Sequence, residues 1–413
     1  MLAAGSVTRL TFEFIQPLGY DLMVGVVQKK VETMKMVLSG VETNNKGAEL
    51  MLYAILQEIE RKWPDAIVYI PKYRINHGLD YVKTSLDFRY IPFERFESKL
   101  HLVTIFNKLK ISFKILPHMI AMGKVDYFID GSGFLISDQF SLSKKFASIM
   151  QKELSAYWNK GTKIIYLPQA FGPFEKRVSI EVLSALSNNA TILMPREKVS
   201  MKYIANSGVV DMKKVRLFTD FTSLVEGIFP TQYEHLRQGV CIIPNKQMIN
   251  KGVISMTNYL SLLKNIIQFS KKSGRVVYLL NHEGENDEQL CRCLQYELSG
   301  DIESVFGLNA LEVKGLISSA YLVISSRFHG VASSLNSCVP CLATSWSHKY
   351  MELFNDYNMT DSILSLDDLE VTIKMITDYL KEEKNQAIRN TLSVQVPIIK
   401  KETIKMWECV WSC

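Results

Sequence analysis

The sequence predicts an α/β protein made of two similar halves, and three observations support this. Short apolar, β-branched runs alternate with amphipathic, helix-length segments from about residue 34 to residue 228. The same alternation restarts at residue 239, after a polar connector that begins with Phe229-Pro230. The chain has 413 residues, more than a single hydrophobic core usually organises. We therefore expect two Rossmann-like domains that face each other across a cleft.

The elements of this alternation define four regions of the chain. In the first half, the expected strands are Met36–Leu38, Ala66–Ile70, Val125–Ile129, Lys163–Leu167 and Ile192–Met194. In the second half, they are Gly239–Pro244, Arg275–Leu280, Tyr321–Ser325 and Val339–Ala343. We expect a peripheral N-terminal extension over residues 1–33, domains over residues 34–228 and 239–365, and a C-terminal helical segment over residues 366–413 that crosses back onto the first domain.

Composition narrows the class of protein. A net charge of +6 is mildly basic, which suits anionic ligands but falls short of the concentrated basic stripe that nucleic-acid binding usually needs. The seven cysteines are odd in number, which favours reduced thiols over a disulfide framework. Cys338 and Cys341 have metal-like spacing, but no second pair matches them, so core packing is favoured. The sequence shows neither a signal peptide nor a membrane span, so we expect a cytoplasmic protein.

The turn after the expected strand Tyr321–Ser325 carries Arg327 and His329 at the start of a small-residue helix. In open α/β sheets, ligands bind beyond the carboxyl ends of the strands, and free N–H groups at the next helix attract anions. An arginine there can fork onto a carboxylate or phosphate, and a histidine can donate a proton. The next strand brings Lys349 to the same edge. By spacing alone, Arg327 and His329 fit a surface pair equally well.

Five motifs follow one another along the chain: TNNKGAELMLYAIL (Thr43–Leu56), DYFIDGSGFLISD (Asp126–Asp138), YLPQAFGPF (Tyr166–Phe174), PREKVS (Pro195–Ser200), and Arg327-x-His329-Gly330 followed by Val339-Pro340 and Lys349. In this order they resemble the motifs of the polysaccharide pyruvyl transferase family. Each motif alone is weakly specific, whereas five in order are fairly specific for the family and less so for its substrate. The resemblance covers roughly residues 34–357 and implies a GT-B-like glycosyltransferase architecture.

Other strand-end loops supply substrate-binding candidates on the same sheet edge. Asn45 precedes a helix, where it can cap the helix or contact the donor substrate. Gly131 and Ser132 lie in a turn whose glycines either tighten the backbone or let a ligand approach it. Gln169 follows the Lys163–Leu167 strand. Arg196 follows the next one, in the Arg-Glu-x-x-Ser position of the family, which favours binding over a surface salt bridge.

The resemblance implies transfer of a pyruvyl group from phosphoenolpyruvate to two sugar hydroxyls, which gives a cyclic ketal and releases phosphate. Arg196 and Arg327 would close on this donor from opposite domains. His329 would protonate the methylene carbon, and Lys349 would neutralise the leaving phosphate. We expect neither a cofactor nor a metal, because the sequence has no zinc pattern and no GxxxxGK[ST] phosphate loop.

Three questions stay open at this point. Asp130 and Asp138 either serve the acceptor hydroxyl or cap turns. Glu283 or Asp287 can bind a ribose, which keeps a nucleotide-sugar-dependent glycosyltransferase as the alternative. A non-catalytic carbohydrate- or membrane-binding scaffold is the third possibility, and the combination of two arginines, a histidine and a lysine argues against it.

The expected acceptor is a glycan or a lipid-linked sugar, which places the reaction near the inner membrane face. Residues 98–122 interleave Lys99, Lys108, Lys110 and Lys114 with apolar side chains. Such a segment can bind peripherally at a membrane interface, or it can be an ordinary half-buried helix. The second interpretation is slightly favoured because Pro117 interrupts the apolar face.

Overall fold

Two parallel β-sheets, one in each half of the chain, form the framework of the protein. The structure, a computed structural model, describes residues 33–75, 84–92, 117–140, 142–344 and 348–413. By their contacts, residues 34–413 group into one compact unit. The expected domain boundaries within that unit therefore stay a prediction.

The first sheet has seven strands and the second has five. The strands of the first sheet are β1 Lys35–Ser39, β2 Ile67–Ile70, β3 Asp87–Tyr90, β4 Tyr127–Asp130, β5 Phe134–Ile136, β6 Lys163–Phe171 and β7 Ile192–Pro195. Their order is β3-β2-β1-β4-β6, and both β5 and β7 pair with β6. The strands of the second sheet are β8 Val240–Ile243, β9 Val277–Leu280, β10 Glu303–Val305, β11 Leu322–Ser325 and β12 Cys341–Ala343. Their order is β10-β9-β8-β11-β12.

Helices connect the strands and cover the sheets. The helices of the described residues are α1 Lys46–Lys62, α2 Pro117–Met122, α3 Lys144–Trp158, α4 Arg177–Asn189, α5 Lys198–Ser207, α6 Gln247–Asn250, α7 Met256–Lys271, α8 Gly284–Glu297, α9 Ala310–Ser319, α10 Phe328–Asn336, α11 His348–Asp356, α12 Leu369–Leu380 and α13 Glu382–Trp411. A short 3₁₀ turn, Phe221–Leu224, ends the first half.

The predicted fold class is confirmed, since two parallel α/β sheets with helical connections are present. Central strands such as β1 and β11 were predictable because both of their faces are buried, which requires consecutive apolar residues. The strands β3, β5 and β10 were missed. β3 (DFRY) and β10 (ESV) lie at sheet edges and lack apolar runs, and β5 has only three residues.

The second sheet has one hydrophobic core cluster, and the first has one on each face. In β1, Met36 and Leu38 pack on one face of the first sheet, and Val37 packs on the other. Helix α13 spans both halves: Leu392 joins the core of the second sheet, and Trp407 joins that of the first. This 30-residue helix therefore connects the two halves along its length.

Two of the sequence-based predictions fall on residues outside this description. The N-terminal extension lies almost entirely within residues 1–32, and residues 98–116 of the lysine-rich segment fall in the range 93–116. Of that segment, only its end at helix α2 is described. No helix among the described residues is both long enough and apolar enough to cross a membrane.

Candidate active site

A cleft of about 750 Å³ lies where loops from the two halves meet. In each half, the carboxyl ends of the parallel strands share one edge of the sheet. The loops that follow these ends in the two sheets both line the cleft. The loop before α1 touches the loop before α8, and the Lys46 N–H donates to the His282 carbonyl at 3.3 Å. The polar and charged residues that line the cleft include Ser39, Asn45, Asp130, Ser132, Arg196, Glu283, Arg327, His329 and Lys349.

Arg327 precedes helix α10 and is 9 % exposed. Its Nε and Nη2 atoms donate to the two carboxylate oxygens of Asp287, each at 2.7 Å, and Nη1 contacts Glu283. Asp287 is fully buried, whereas Glu283 lines the cleft. The fork of Arg327 therefore holds Asp287 rather than standing open to a donor. Because Nη1 contacts Glu283 as well, every nitrogen of the guanidinium faces a carboxylate, and the expected grip on the donor remains a prediction.

The pairing with Arg327 also bears on the glycosyltransferase alternative. Glu283 and Asp287 were the carboxylates considered for binding a ribose, and both contact Arg327. Burial lowers the pKa of Arg327 to about 10, so the guanidinium stays protonated near neutral pH. Burial also raises the pKa of Asp287 to about 7, and the hydrogen bond from the Lys246 N–H opposes this shift. Both carboxyl groups are thus engaged within the protein.

His329 belongs to α10, but its ring is held by the first half of the chain. Nε2 lies 3.4 Å from Oδ2 of Asp220. On its other side the ring packs against Gly47 in the first turn of α1, where a Cβ atom would lie only 2.3 Å from Nδ1. Asp220 is itself fixed, because its Oδ1 accepts from the Thr222 N–H at 3.0 Å and from the Thr222 hydroxyl at 2.5 Å.

Sequence reasoning did not identify Asp220 or Gly47 as functional. Asp220 is 109 positions before His329, and nothing local indicates that the two residues meet. The available signal was Asp220-x-Thr222, a polar turn at the end of the first half. Burial raises the pKa of Asp220, but its contact with His329 and the charges of His329 and Arg196 lower it more, to well below its usual range. Asp220 is therefore ionised at neutral pH.

Arg196 and Lys349 surround the ring of Phe328, next to His329. The Cζ atom of Arg196 lies 3.9 Å from the centre of this ring, and the Nζ atom of Lys349 lies 5.9 Å from it. Burial lowers the pKa of Lys349 to about 7, and the charges of Arg196 and Arg327 act in the same direction. The structure thus brings all four cationic candidates into one cleft, Arg196 from the first half and the others from the second.

The loop after β4 supports this cleft from the first half. Asp130 is buried, and its Oδ1 accepts from the Ser132 N–H at 3.1 Å and from Nε2 of Gln169 at 3.2 Å. Ser132 and Asp130 line the cleft, but Gln169 lies behind the wall, where its carbonyl accepts from the Arg196 N–H at 3.0 Å. Gln169 therefore supports the arginine loop from behind.

Three more candidates have structural partners. Oδ1 of Asn45 caps α1 by accepting from the N–H groups of Gly47 and Ala48, although Asn45 also lines the cleft. A Cβ on Gly131 would lie 2.7 Å from Ile55, so this glycine permits close packing and is not part of the cleft lining. Asp138 caps a turn, with its carboxylate accepting from the Glu175 and Lys176 N–H groups and the Ser179 hydroxyl.

The cysteines add no metal centre to this part of the molecule. Within the described ranges, no three His, Cys, Asp or Glu side chains are placed to bind a metal. Cys341 is fully buried in β12, and burial raises the pKa of its thiol. Cys338 is half-buried in the preceding turn.

Comparison with protein families agrees with the five motifs. A family model for polysaccharide pyruvyl transferase matches residues 45–348, which is well over half of the chain. The chain belongs to the polysaccharide pyruvyl transferase family. Comparison with curated proteins finds no match.

Among the solved structures similar to this chain are a nucleotide-sugar epimerase, a protein bound to UDP and glucose, and a glycosyltransferase. UDP-GlcNAc 2-epimerase from Neisseria meningitidis, bound to UDP-GlcNAc, aligns with a TM-score of 0.59 at 11% identity, covering 92% of this chain and 100% of that one. HepE from Anabaena, in complex with UDP and glucose, aligns with a TM-score of 0.55 at 9% identity, covering 92% of this chain and 98% of that one. WaaG, a glycosyltransferase involved in lipopolysaccharide biosynthesis, aligns at 0.52 with 10% identity, covering 91% and 99%. At these identities the likeness shows the GT-B-like fold of this pyruvyl transferase family member and nothing finer.

Proposed function

We propose that the protein transfers a pyruvyl group from phosphoenolpyruvate to two hydroxyls of a glycan or of its lipid-linked precursor. The observation that supports this most directly is the group of Arg196, Arg327 and Lys349 around His329 in one cleft. Phosphoenolpyruvate carries a carboxylate beside a phosphate, so a site for it needs several cations and one acid. No cofactor enters this proposal, because the donor itself supplies the transferred group.

In the proposed reaction, His329 protonates the methylene carbon of the donor as positive charge builds on the neighbouring carbon. One acceptor hydroxyl adds to that carbon, the C–O bond to phosphate breaks, and the second hydroxyl closes the ketal. Of the two hydroxyl protons released, one restores the acid and the other leaves with phosphate. Arg196 and Lys349 stabilise the charge that develops on the phosphate.

The environment of His329 supports its role as the acid. Nε2 faces Asp220, so the proposed proton donor to the substrate is Nδ1. Nδ1 lies beside the backbone of Gly47, where a Cβ atom would come within 2.3 Å, so a larger residue at position 47 would crowd this nitrogen. Burial in the cleft also strengthens the interaction between the imidazolium ion and an anionic donor.

The nucleotide-sugar glycosyltransferase remains the second candidate, because HepE and the Neisseria epimerase bind nucleotide sugars on this fold. In this chain, however, Glu283 and Asp287 both contact Arg327. Pyruvyl transfer is therefore the better supported of the two functions.

The test is incubation with phosphoenolpyruvate and a panel of lipid-linked or aryl glycosides, following phosphate release and a pyruvyl mass gain on the glycoside. His329→Ala should lower kcat by roughly 10²- to 10⁴-fold, the usual contribution of a general acid. The matched control is His235→Ala, since His235 is more than half exposed and pairs with Glu303 away from the cleft. Full activity in the His329 variant would remove it from the mechanism, and turnover of UDP-sugars instead would favour the glycosyltransferase.

The proposed acceptor places the enzyme at a membrane when the glycan is lipid-linked. Peripheral contact through residues 98–116 stays a prediction, because those residues lie outside the described part of the chain. Localisation at the inner membrane face rests on the same argument.

A further inference from the structure

The acid of the proposed reaction is built from both halves of the molecule. His329 lies in the first turn of α10, in the second half of the chain, whereas Asp220 and Gly47 belong to the first half. The imidazole is held between the Asp220 carboxylate at 3.4 Å and the backbone of Gly47. The orientation of the imidazole therefore depends on residues that come together only when the two halves pack against each other.

His329 and Asp220 approach each other through two buried atoms that no other described residue binds. Among the residues that the structure describes, neither Nε2 of His329 nor Oδ2 of Asp220 has a hydrogen-bond partner; both atoms are buried, and they lie 3.4 Å apart. The other oxygen of Asp220 is held by two donors from Thr222, which fixes the plane of the carboxylate. A buried, ionised oxygen without a partner is costly, so the imidazole N–H is its natural partner.

We infer that Asp220 is the positioning residue for His329: it orients the imidazole through Nε2 and stabilises its protonated form. The role of His329 as the acid rests on the proposed function, but the pairing with Asp220 does not. Because the two residues come from different halves, the acid is complete only where the two halves pack against each other.

Charge balance around the pair favours this assignment. The N-terminus of α1, which the ring touches at Gly47, carries roughly half a positive charge and disfavours imidazolium, whereas Asp220 contributes a full negative charge. The Lys314 ammonium donates to the Thr222 carbonyl at 3.2 Å, next to the turn that holds Asp220. The other titratable groups that act on Asp220 or His329 are Arg196, His282, Asp356 and Tyr357.

The direct test is an NMR titration of the full chain with labelled histidine, with His329→Ala used to assign the His329 signal among seven histidines. Asp220→Asn keeps an oxygen for Thr222 but removes the charge, so the titration midpoint of His329 should fall by about one pH unit or more. Asp220→Glu keeps the charge, and its midpoint should lie between those of the wild type and the Asn variant. Asp211→Asn is the matched control, because Asp211 caps the 3₁₀ turn Met212–Lys214 in the same way and is exposed.

Kinetic measurements distinguish a positioning role of Asp220 from a purely structural one. With phosphoenolpyruvate, Asp220→Asn should lower kcat at least tenfold, change KM for the donor by less than threefold, and move the basic limb of the pH profile to lower pH. An unchanged His329 midpoint in Asp220→Asn would overturn the inference, even if the enzyme is an active pyruvyl transferase. A lowered midpoint in a protein without pyruvyl transfer would instead uphold the pairing and end the proposed function.

Discussion

At the scale of single residues, this cleft is unusual because its cations are buried beside one another. Arg196 stacks on Phe328, Arg327 is held by Asp287, and the Nζ atom of Lys349 lies 5.9 Å from the centre of the Phe328 ring. Arginine tolerates such burial because its guanidinium stays charged, whereas lysine loses its proton more readily. Lys349 is therefore the cation in the cleft whose charge depends most on pH near neutrality, given its pKa of about 7.

Donor binding should consequently take up a proton through Lys349. At pH 8 roughly nine-tenths of Lys349 is neutral in the free protein, and an anionic donor raises its pKa, so binding should take up about 0.9 proton. The affinity for phosphoenolpyruvate should therefore fall as pH rises from 7 to 9. Calorimetry in buffers of different ionisation enthalpy measures the uptake.

The control for this prediction is Lys349→Arg, which keeps the charge at every pH. This variant should bind the donor without the extra proton and with a flatter pH dependence. Equal proton uptake in the wild type and in Lys349→Arg would assign the uptake to another group, such as the donor phosphate.

At the scale of elements, the first turn of α1 shows a conflict between local and tertiary preference. Gly47 is inside a helix, where alanine would normally be more stable by about 1 kcal/mol. A Cβ at this position, however, would lie 2.3 Å from Nδ1 and 2.8 Å from Cγ of His329. Overlap of that size requires the ring or the helix to move, so the tertiary contact outweighs the helix propensity.

Gly47→Ala should therefore destabilise the protein by about 1–3 kcal/mol, the usual cost of overpacking, and lower kcat as well. Urea unfolding and the transferase assay measure the two effects. In the His329→Ala background the clash is removed, and Gly47→Ala should become neutral or stabilising. A double-mutant cycle without coupling would show that the alanine does not meet the ring.

At the scale of the whole molecule, α13 ties the acid-supporting turn to both halves. Thr403 in this helix hydrogen-bonds to Ser223 at 2.6 Å, in the turn that begins at Asp220. Trp407, one turn later, packs against Phe221 with ring centres 6.1 Å apart. Ser223 and Thr403 are 180 residues apart in the sequence. Through this contact the C-terminal helix holds the turn that places Asp220 beside His329.

Thr403→Val keeps the shape of the side chain but leaves the buried Ser223 hydroxyl without this partner. It should lower the free energy of unfolding by about 1–3 kcal/mol, measured by urea denaturation. Thr391→Val is the control on the same helix: Thr391 also donates to a carbonyl four residues earlier, but it is exposed. A similar loss in both variants would mean that the bond to Ser223 contributes nothing.

The sequence by itself determined the fold class and the family. Central strands buried on both faces must be apolar, and parallel strands must deliver their end loops to one edge of a sheet, so Arg327, His329 and Lys349 were expected together. The approach of Arg196 from the other sheet was implied by the family resemblance. Those features depend on local pattern and on topology. Both are visible in a single chain.

Only the tertiary structure decided which partner each group has. Asp287 occupies the fork of Arg327, Asp220 pairs with His329, and Gln169 lies behind the cleft wall instead of in it. Such contacts join residues 40 to more than 100 positions apart, and their energy depends on distances of a few tenths of an ångström and on burial. The periodicity of the sequence does not contain these distances and burials, because they arise only when the two halves pack against each other.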